Sequence, residues 1–375
     1  MMSYVTEFSY GDGPYLWDLL PSVGAHLGVT GFDHDLIGLP SSRRYVVVLI
    51  DGLGWDLTLR SCAQAASMAS AIGDATKLSV CLPSTTAASL MSLWTGVQPG
   101  SHGILGFSFD MGLDNPQPSS RKVATPLSFK EPIEAAACIM DTLVDQGVSV
   151  SCVVPAEHVH SGLTLMGTRT AEIIGIDILD SPARIQATLT ASRQGSQSLV
   201  YVYEPRLDQT GHKRGVASGQ WAQVLSEVDA FLEDLRSRLD DDVCLLVTGD
   251  HGMVDISVDS RVEIDTDPVL SQDLRLVGGE ARFRHLYTDH PRAVVQRWRE
   301  FCGTDASVMI RSEAIDSGLF GPVDPKYLTR IGDVVVVAQT TAYLTKSFPG
   351  EYSLVGMHGG WTSAERYVPL LVDPG

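Results

Sequence analysis

The run Tyr45-Val46-Val47-Val48-Leu49-Ile50 contains no polar position, which is the pattern of a strand buried on both faces of a parallel sheet. Asp51-Gly52-Leu53-Gly54 ends it. Ser198 to Tyr203 and Val243 to Thr248 read the same way, and Lys77 to Leu82, Val148 to Val154 and Tyr367 to Val372 predict further strands. Between Gln220 and Leu239 the apolar residues Val224, Leu225, Val228, Phe231, Leu232 and Leu235 recur at helical spacing. Residues 55–73, 131–147 and 182–195 are also helix-compatible, and a short helix is predicted near Tyr15 to Leu20 within a Gly-, Pro- and Asp-rich N-terminal extension, 1–40. The succession of strand, loop, helix and strand predicts an α/β fold with a mainly parallel central sheet flanked by helices. Residues 97–130 read as loop. Residues 259–345 are richer in charge, with strand-like runs at Ala281 to Thr288 and Val334 to Ala338 and a helix at 291–302, and read as a smaller inserted cap subdomain.

Several of these runs end in side chains that carry chemistry. Ser198 to Tyr203 leads into a polar loop with Asp208 and His212 four residues apart; Tyr45 to Ile50 leads into Asp51; Val243 to Thr248 leads into Gly249, Asp250 and His251. His358 sits between glycines near the end of the chain. Ser84-Thr85-Thr86 opens an apolar helical run that stops at Thr95-Gly96, so one hydroxyl is an N-cap or a nucleophile facing the positive end of the helix dipole. Taken singly, Asp51 is equally a turn residue beside glycine, and His158 with His160 reads as a structural or rim pair rather than half a metal site. Placement after strands is what joins the others into one constellation.

Composition sharpens this reading. The 375 residues are 44% hydrophobic and 19% charged, an ordinary balance for a globular α/β protein, but the net charge is −18. That field disfavours a nucleic-acid polymer, and a small anionic substrate requires a local positive centre such as a metal. Met1 to Tyr10 has neither a basic n-region nor an apolar h-region, no apolar run approaches the roughly 18 residues of a membrane span, and the six cysteines are scattered. The expectation is a cytoplasmic protein with reduced, buried cysteines and no membrane partner; oligomeric state is left open.

Asp51, Asp208, Asp250, His212, His251 and His358 form a ligand set suited to zinc, with manganese or iron as alternatives. Six ligands divide into two groups of three, the arrangement of a two-metal site that clamps the attacking and leaving oxygens of an in-line displacement at phosphorus. Two divalent cations against three carboxylates and a deprotonated hydroxyl come out near neutral, so an anionic phosphate meets no local repulsion.

In order, the segments Val48-Leu49-Ile50-Asp51-Gly52, Leu82-Pro83-Ser84-Thr85-Thr86, Thr95-Gly96 with Ser101-His102-Gly103-Ile104, Glu204-Pro205 with Asp208 and Gly211-His212, Thr248-Gly249-Asp250-His251-Gly252-Met253 and Met357-His358-Gly359 resemble the alkaline phosphatase superfamily, in its nucleotide pyrophosphatase/phosphodiesterase branch. The resemblance implies a single alkaline-phosphatase-like catalytic domain over 1–375. It implies one zinc on Asp208, His212 and His358, and a second on Asp51, Asp250, His251 and the nucleophile. It places the nucleophile at Thr86, three residues after Pro83, with Thr85 its nearest competitor, and implies a covalent phospho-enzyme that water then releases. Two positions depart from the family pattern: Ala87 stands where an aromatic residue follows the nucleophile, and Phe107 where an asparagine contacts phosphate. The implied activity is a phosphodiesterase or nucleotide pyrophosphatase acting on a small phosphate ester. The alternatives are a phosphomonoesterase or phosphonate hydrolase of the same superfamily, helped by Arg206, Lys213 and Arg214, or a metal-stabilised binding protein without turnover.

Overall fold

The computed structural model describes residues 8, 10–11, 13–61, 63–110, 123–125 and 136–375. Cys62, the first residues of the N-terminal extension, much of the 97–130 loop and the start of the helix expected at 131–147 lie outside the described residues.

A seven-stranded sheet forms the centre, in the order Thr76–Ser79, Tyr367–Asp373, Val243–Gly249, Arg44–Ile50, Ser198–Glu204, Ser149–Pro155 and Glu172–Ile176. The last five are mutually parallel, whereas Tyr367–Asp373 runs antiparallel to both of its neighbours. The mainly parallel sheet expected from the continuous apolar runs is therefore present, with a mixed edge.

Alternate residues of the central strands feed two cores. Tyr45, Val47, Leu49, Leu199 and Tyr201 pack against Leu90, Met91 and Trp94 of the helix Thr86–Thr95 and against Ile139 and Leu143 of the helix Ile139–Asp145. Val46, Val48, Ile50, Val200 and Val202 pack against the helices Ser181–Ser192 and Gly219–Arg238, the latter through Trp221, Leu225, Val228, Phe231, Leu232 and Leu235. Because both faces are covered, these strands show no polar alternation, and each buried aliphatic side chain contributes roughly 1.5–3 kcal/mol.

The chain leaves this body at Val254–Asp255 and returns at Gly356–Met357, two short strands that pair antiparallel. Between them lies a four-stranded antiparallel sheet, ordered Leu276–Glu280, Phe283–Tyr287, Val334–Ala338 and Ala306–Ile310, with its own core around Trp298 of the helix Pro291–Cys302. Arg282 of this excursion makes a bidentate ion pair with Glu365 of the main body at 2.6 and 2.7 Å, and both side chains are fully buried. The cysteines among the described residues, Cys81, Cys138, Cys152, Cys244 and Cys302, are buried and unpaired. No helix of the described residues is long and apolar enough to cross a membrane.

One local expectation is corrected. Asp208 and His212 are carried on the helix Arg206–Arg214, not on a loop. Only Leu207, Asp208 and Gly211 of that helix are buried, so it has no apolar stripe for a periodicity argument to find. Its ends are nonetheless regular: Asp208 lies in the first turn, His212, Lys213 and Arg214 in the last, and Gly215 follows at φ 85°.

Glu204, fully buried at the end of its strand, anchors this helix. It pairs with Arg184 at 2.8 Å and with Arg206 at 2.9 Å, and accepts the Arg206 backbone N–H at 3.1 Å. Glu204→Ala leaves two guanidinium groups facing a desolvated space, and chemical denaturation is expected to register a loss of about 3–5 kcal/mol.

Candidate active site

Three strand ends define the site. Arg44–Ile50 is the middle strand of its trio, and Ile50 is in register with Glu204 on one side and Gly249 on the other. The next residues, Asp51, Pro205 and Asp250, thus emerge at one level on the carboxyl edge of the sheet, where open α/β sheets bind ligands. The helix after Pro205 presents Asp208 and His212, one turn apart, on the same face.

Six of the expected residues assemble into two groups of three. Asp208, His212 and His358 form one and Asp51, Asp250 and His251 the other, the ligand atoms within each lying within 4.8 Å of one another. The rings of His251 and His358 stack with centroids 3.7 Å apart, so the groups adjoin.

The imidazoles share one arrangement. His212 Nδ1 lies 2.8 Å from the Gly356 carbonyl, His251 Nδ1 3.0 Å from the Gly252 carbonyl and His358 Nδ1 3.0 Å from the Ser84 carbonyl. A carbonyl only accepts, so each Nδ1–H is the donor and each Nε2 lone pair faces the site, as the outer partners of metal-bound histidines require. His212 Nε2 and His358 Nε2 then face each other at 3.2 Å, lone pair to lone pair, an arrangement that a cation relieves. Buried Asp208 Oδ1 and Asp250 Oδ2 have no hydrogen-bond partner.

The electrostatics agree. Burial pushes Asp208 up to about 6 against the pull of His212, and burial together with the Asp51 carboxylate pushes Asp250 up to about 8. For His251 burial alone acts downward, but Asp250 and Asp51 outweigh it and carry it to about 10. His358 is held well below the usual imidazole range by burial and by His251 and His212 beside it. Negative charge is crowded in a desolvated space, and this donor set fits divalent cations.

Of the three candidate hydroxyls, Thr86 reaches the cluster. Its Oγ1 lies 3.1 Å from His251 Nε2 and 3.4 and 3.5 Å from the two Asp51 oxygens. Thr86 is the first residue of its helix and Thr85 the N-cap, without a side-chain capping bond. Fully buried Ser84 donates its hydroxyl to the Gly360 carbonyl at 2.7 Å and receives the Gly359 N–H at 3.2 Å, clamping the loop that carries His358.

Other candidates stand elsewhere. His102 is fully buried, contacts Ser92 Oγ at 3.0 Å and is pushed down to about 3 by burial, a neutral structural residue. His158 borders the site beside the Tyr203 ring, while His160 is exposed. Arg206 is committed to Glu204 and Glu227, and Lys213 and Arg214 are exposed. Tyr203, whose hydroxyl donates to Asp51 Oδ2, was not singled out from the sequence; its alternation within the strand toward the Asp51 side was the available signal.

Two cavities meet at the cluster. A cavity of about 270 Å³ is lined on the Thr86 side by Ala87, Leu90, Phe107, His158, Leu163 and Tyr203. Another, of about 460 Å³, opens past His212 and His358 against Phe107, Glu280, Phe348 and Glu351. Among the described residues, no lysine or arginine lines either.

A sequence model of type I phosphodiesterases / nucleotide pyrophosphatases matches residues 45–361, and the chain belongs to that family. That family is metal-dependent. Among solved structures the chain is similar to murine ectonucleotide pyrophosphatase / phosphodiesterase 5, with a TM-score of 0.67 and 19% identity over 87% of each chain. It is also similar to phosphonoacetate hydrolase from Sinorhizobium meliloti 1021, with a TM-score of 0.63 and 18% identity over 89% of this chain and 91% of that one. At these identities the likeness concerns the fold. A curated relative, the catalytic subunit of GPI ethanolamine phosphate transferase 3 of Mus musculus, is 31% identical over 105 residues, which is 27% of this chain and 9% of that protein.

Gly52 shows how tightly the two groups are built together. It has φ 78°, donates its N–H to Asp250 Oδ1 at 3.1 Å, and a Cβ there would lie 3.2 Å from the Cα and Cβ of Asp208. Gly52→Ala is expected to cost about 1–3 kcal/mol of stability and, by displacing Asp208, to lower phosphate-ester turnover by roughly tenfold or more while unfolding stays cooperative. Steady-state kinetics beside a thermal melt check both.

Proposed function

We propose that this chain is a two-zinc phosphodiesterase with Thr86 as its nucleophile. Asp208, His212 and His358 would hold one ion, and Asp51, Asp250, His251 and Thr86 the other; manganese or iron are the alternative metals. The observation that carries the reading is the common orientation of the three imidazoles, each with Nδ1 tied to a backbone carbonyl and Nε2 turned to the two carboxylate groups. Divalent ions there would offset the crowded carboxylates and stabilise charge on the attacking and leaving oxygens.

The chain's own residues do the rest. Tyr203 orients the Asp51 carboxylate by donating its hydroxyl to it, and Asp51 and His251 in turn position Thr86 Oγ1. Thr86 starts a ten-residue helix, so backbone N–H groups and the positive end of the dipole lie where a phosphate would sit. Attack forms the Thr86 Oγ1–phosphorus bond as the bond to the leaving alcohol breaks, and the alcohol departs with a proton. Water then cleaves the covalent ester and restores the hydroxyl.

Diesters are favoured over monoesters and phosphonates by the absence, among the described residues, of lysine and arginine from both cavity linings. A dianionic monoester or a carboxylated phosphonate needs additional positive charge around its free oxygens, and Arg206 is occupied by Glu204 and Glu227. Phe107 in the lining offers no hydrogen bond to a phosphate oxygen from its side chain. The murine ectonucleotide pyrophosphatase / phosphodiesterase 5 has been solved as an inactive variant in complex with AMP, and phosphonoacetate hydrolase with phosphonoformate. The first supports a phosphate ester of a nucleoside as one unit this site accepts.

Two experiments test the reading. An aryl phosphodiester should be hydrolysed with at least roughly a hundredfold higher kcat/KM than the matching aryl monoester, and the reverse preference would sink the proposal. Thr86→Ala should lower kcat by roughly a thousandfold or more while elemental analysis still finds about two zinc ions per chain. Unchanged turnover would move the nucleophile to Thr85 or to water, and a single bound ion would contradict the paired site.

A further inference from the structure

The larger cavity has a wall that metal ligation and nucleophilic attack do not use. Glu280, at the end of the strand Leu276–Glu280, is 8% exposed and lines this space. Its Oε2 accepts the Phe107 backbone N–H at 2.8 Å, while its Oε1 is buried without a partner. Glu351, 7% exposed, lines the same cavity; one of its oxygens pairs with Arg284 and its Oε1 also lacks a partner. Arg284 is fully buried, is not among the lining residues, and has an unpartnered Nη1. With both carboxyls ionised, Glu280, Glu351 and Arg284 sum to one net negative charge behind this wall.

Apart from Thr85, Ser347, His212 and His358, the remaining lining is apolar and aromatic: Ala281, Pro349, Gly350, Leu354 and Met357, with the rings of Phe107 and Phe348 edge to face at 6.0 Å. Two acidic side chains, two aromatic faces and, among the described residues, no lysine or arginine are the chemistry of an ammonium site and are hostile to a second phosphate. Burial pushes the Glu280 carboxyl up to about 8, as expected of an acid without a counter-cation, and a facing ammonium would return it to the carboxylate range.

Position gives the site its meaning. The cavity shares Thr85, Phe107, His212 and His358 with the smaller one, but Thr86 and Asp51 line the smaller one alone. It thus opens on the side of His212 and His358 and away from Thr86, the side on which the leaving group of an in-line displacement would depart. Resting on the phosphodiesterase reading, we infer that this cavity binds a leaving alcohol that carries a compact alkylammonium group, with Glu280 as its counter-ion and Phe107 and Phe348 as its aromatic walls.

The test compares two diesters, the methyl phosphodiester of choline and its isostere in which a neutral tert-butyl group replaces the trimethylammonium. Release of the alcohol is followed by phosphorus NMR on the full, metal-loaded chain. The cationic diester should have at least tenfold higher kcat/KM, expressed mainly in KM, and Glu280→Gln should bring the ratio close to one. Phe348→Leu should lower it about threefold, which keeps the test open should the Glu280 variant fold poorly. A wild-type ratio near one, or a Glu280→Gln variant that loses activity equally on both diesters, overturns the inference. Calorimetric titration of the Thr86→Ala protein with the same two diesters reads the preference without turnover. A retained preference there with no hydrolysis by wild type would overturn the phosphodiesterase reading alone; hydrolysis of a plain aryl diester without the preference would overturn the ammonium site alone.

Discussion

Everything at this site depends on three parallel strands ending at the same level. Arg44–Ile50 is hydrogen-bonded on both sides, and the register that sets Ile50 beside Glu204 and Gly249 also sets the starting points of the three segments that carry Asp51, Asp208 with His212, and Asp250 with His251. Side chains in a strand alternate faces, so a slip of one residue would exchange the two cores and misalign all three starting points. The two cores, built from alternate residues of the same strands, fix the register more firmly than any contact within the site. Precision at the centre is inherited from burial elsewhere.

A second constraint is electrical. Three carboxylates and three imidazoles occupy a space from which water is largely excluded, and such a cluster is costly unless the charges are compensated. The backbone prepares for compensation by holding each Nδ1–H, so no rotation of an imidazole is needed to present its Nε2. The carbonyls that do this come from three places: Ser84 just before the helix that Thr86 starts, Gly252 beside its own histidine, and Gly356 at the return of the excursion. That excursion is therefore part of the site's construction. Glu365, paired with its Arg282, also accepts the Gly360 N–H at 2.9 Å, and so the small sheet helps to hold the loop on which His358 stands.

The sheet and the two groups of three acidic and imidazole residues were legible in the sequence because they rest on strong local signals. Continuous apolar runs mark buried parallel strands, and an acidic or imidazole side chain directly after each run stands out against them. The helix carrying Asp208 and His212 was not legible, since its exposed faces are polar throughout and its buried residues are too few to set a period. Nor was the strand Leu276–Glu280, whose pair of glycines interrupts the β-branched pattern. Choosing among Ser84, Thr85 and Thr86 required either a resemblance or coordinates: all three are hydroxyls near one helix start, and only a fold can send Ser84 to Gly360 and Thr86 to Asp51. The wall built by Glu280 and Glu351 lay beyond sequence reasoning for a simpler reason, because residues 71 positions apart meet only through the small sheet and the segment that follows it.

The distribution of cationic side chains, more than their number, sets what this site can accept. Among the described residues no lysine or arginine lines either cavity, and Arg184, Arg206, Arg282 and Arg284 are spent on Glu204, Glu351 and Glu365. Free oxygens on a bound phosphate would therefore be stabilised by the centre itself and by the start of the Thr86 helix. A singly charged diester leaves little uncompensated in that arrangement, whereas each further negative charge would have to sit in a cavity walled by apolar groups or by carboxylates. Surface charge does not alter this balance, since beyond roughly 8 Å at physiological ionic strength its field is screened while the buried groups remain unscreened. On the phosphodiesterase reading, discrimination between classes of phosphate ester would follow from what the described walls omit, and the same omission would make the acidic side of the larger cavity its most selective surface.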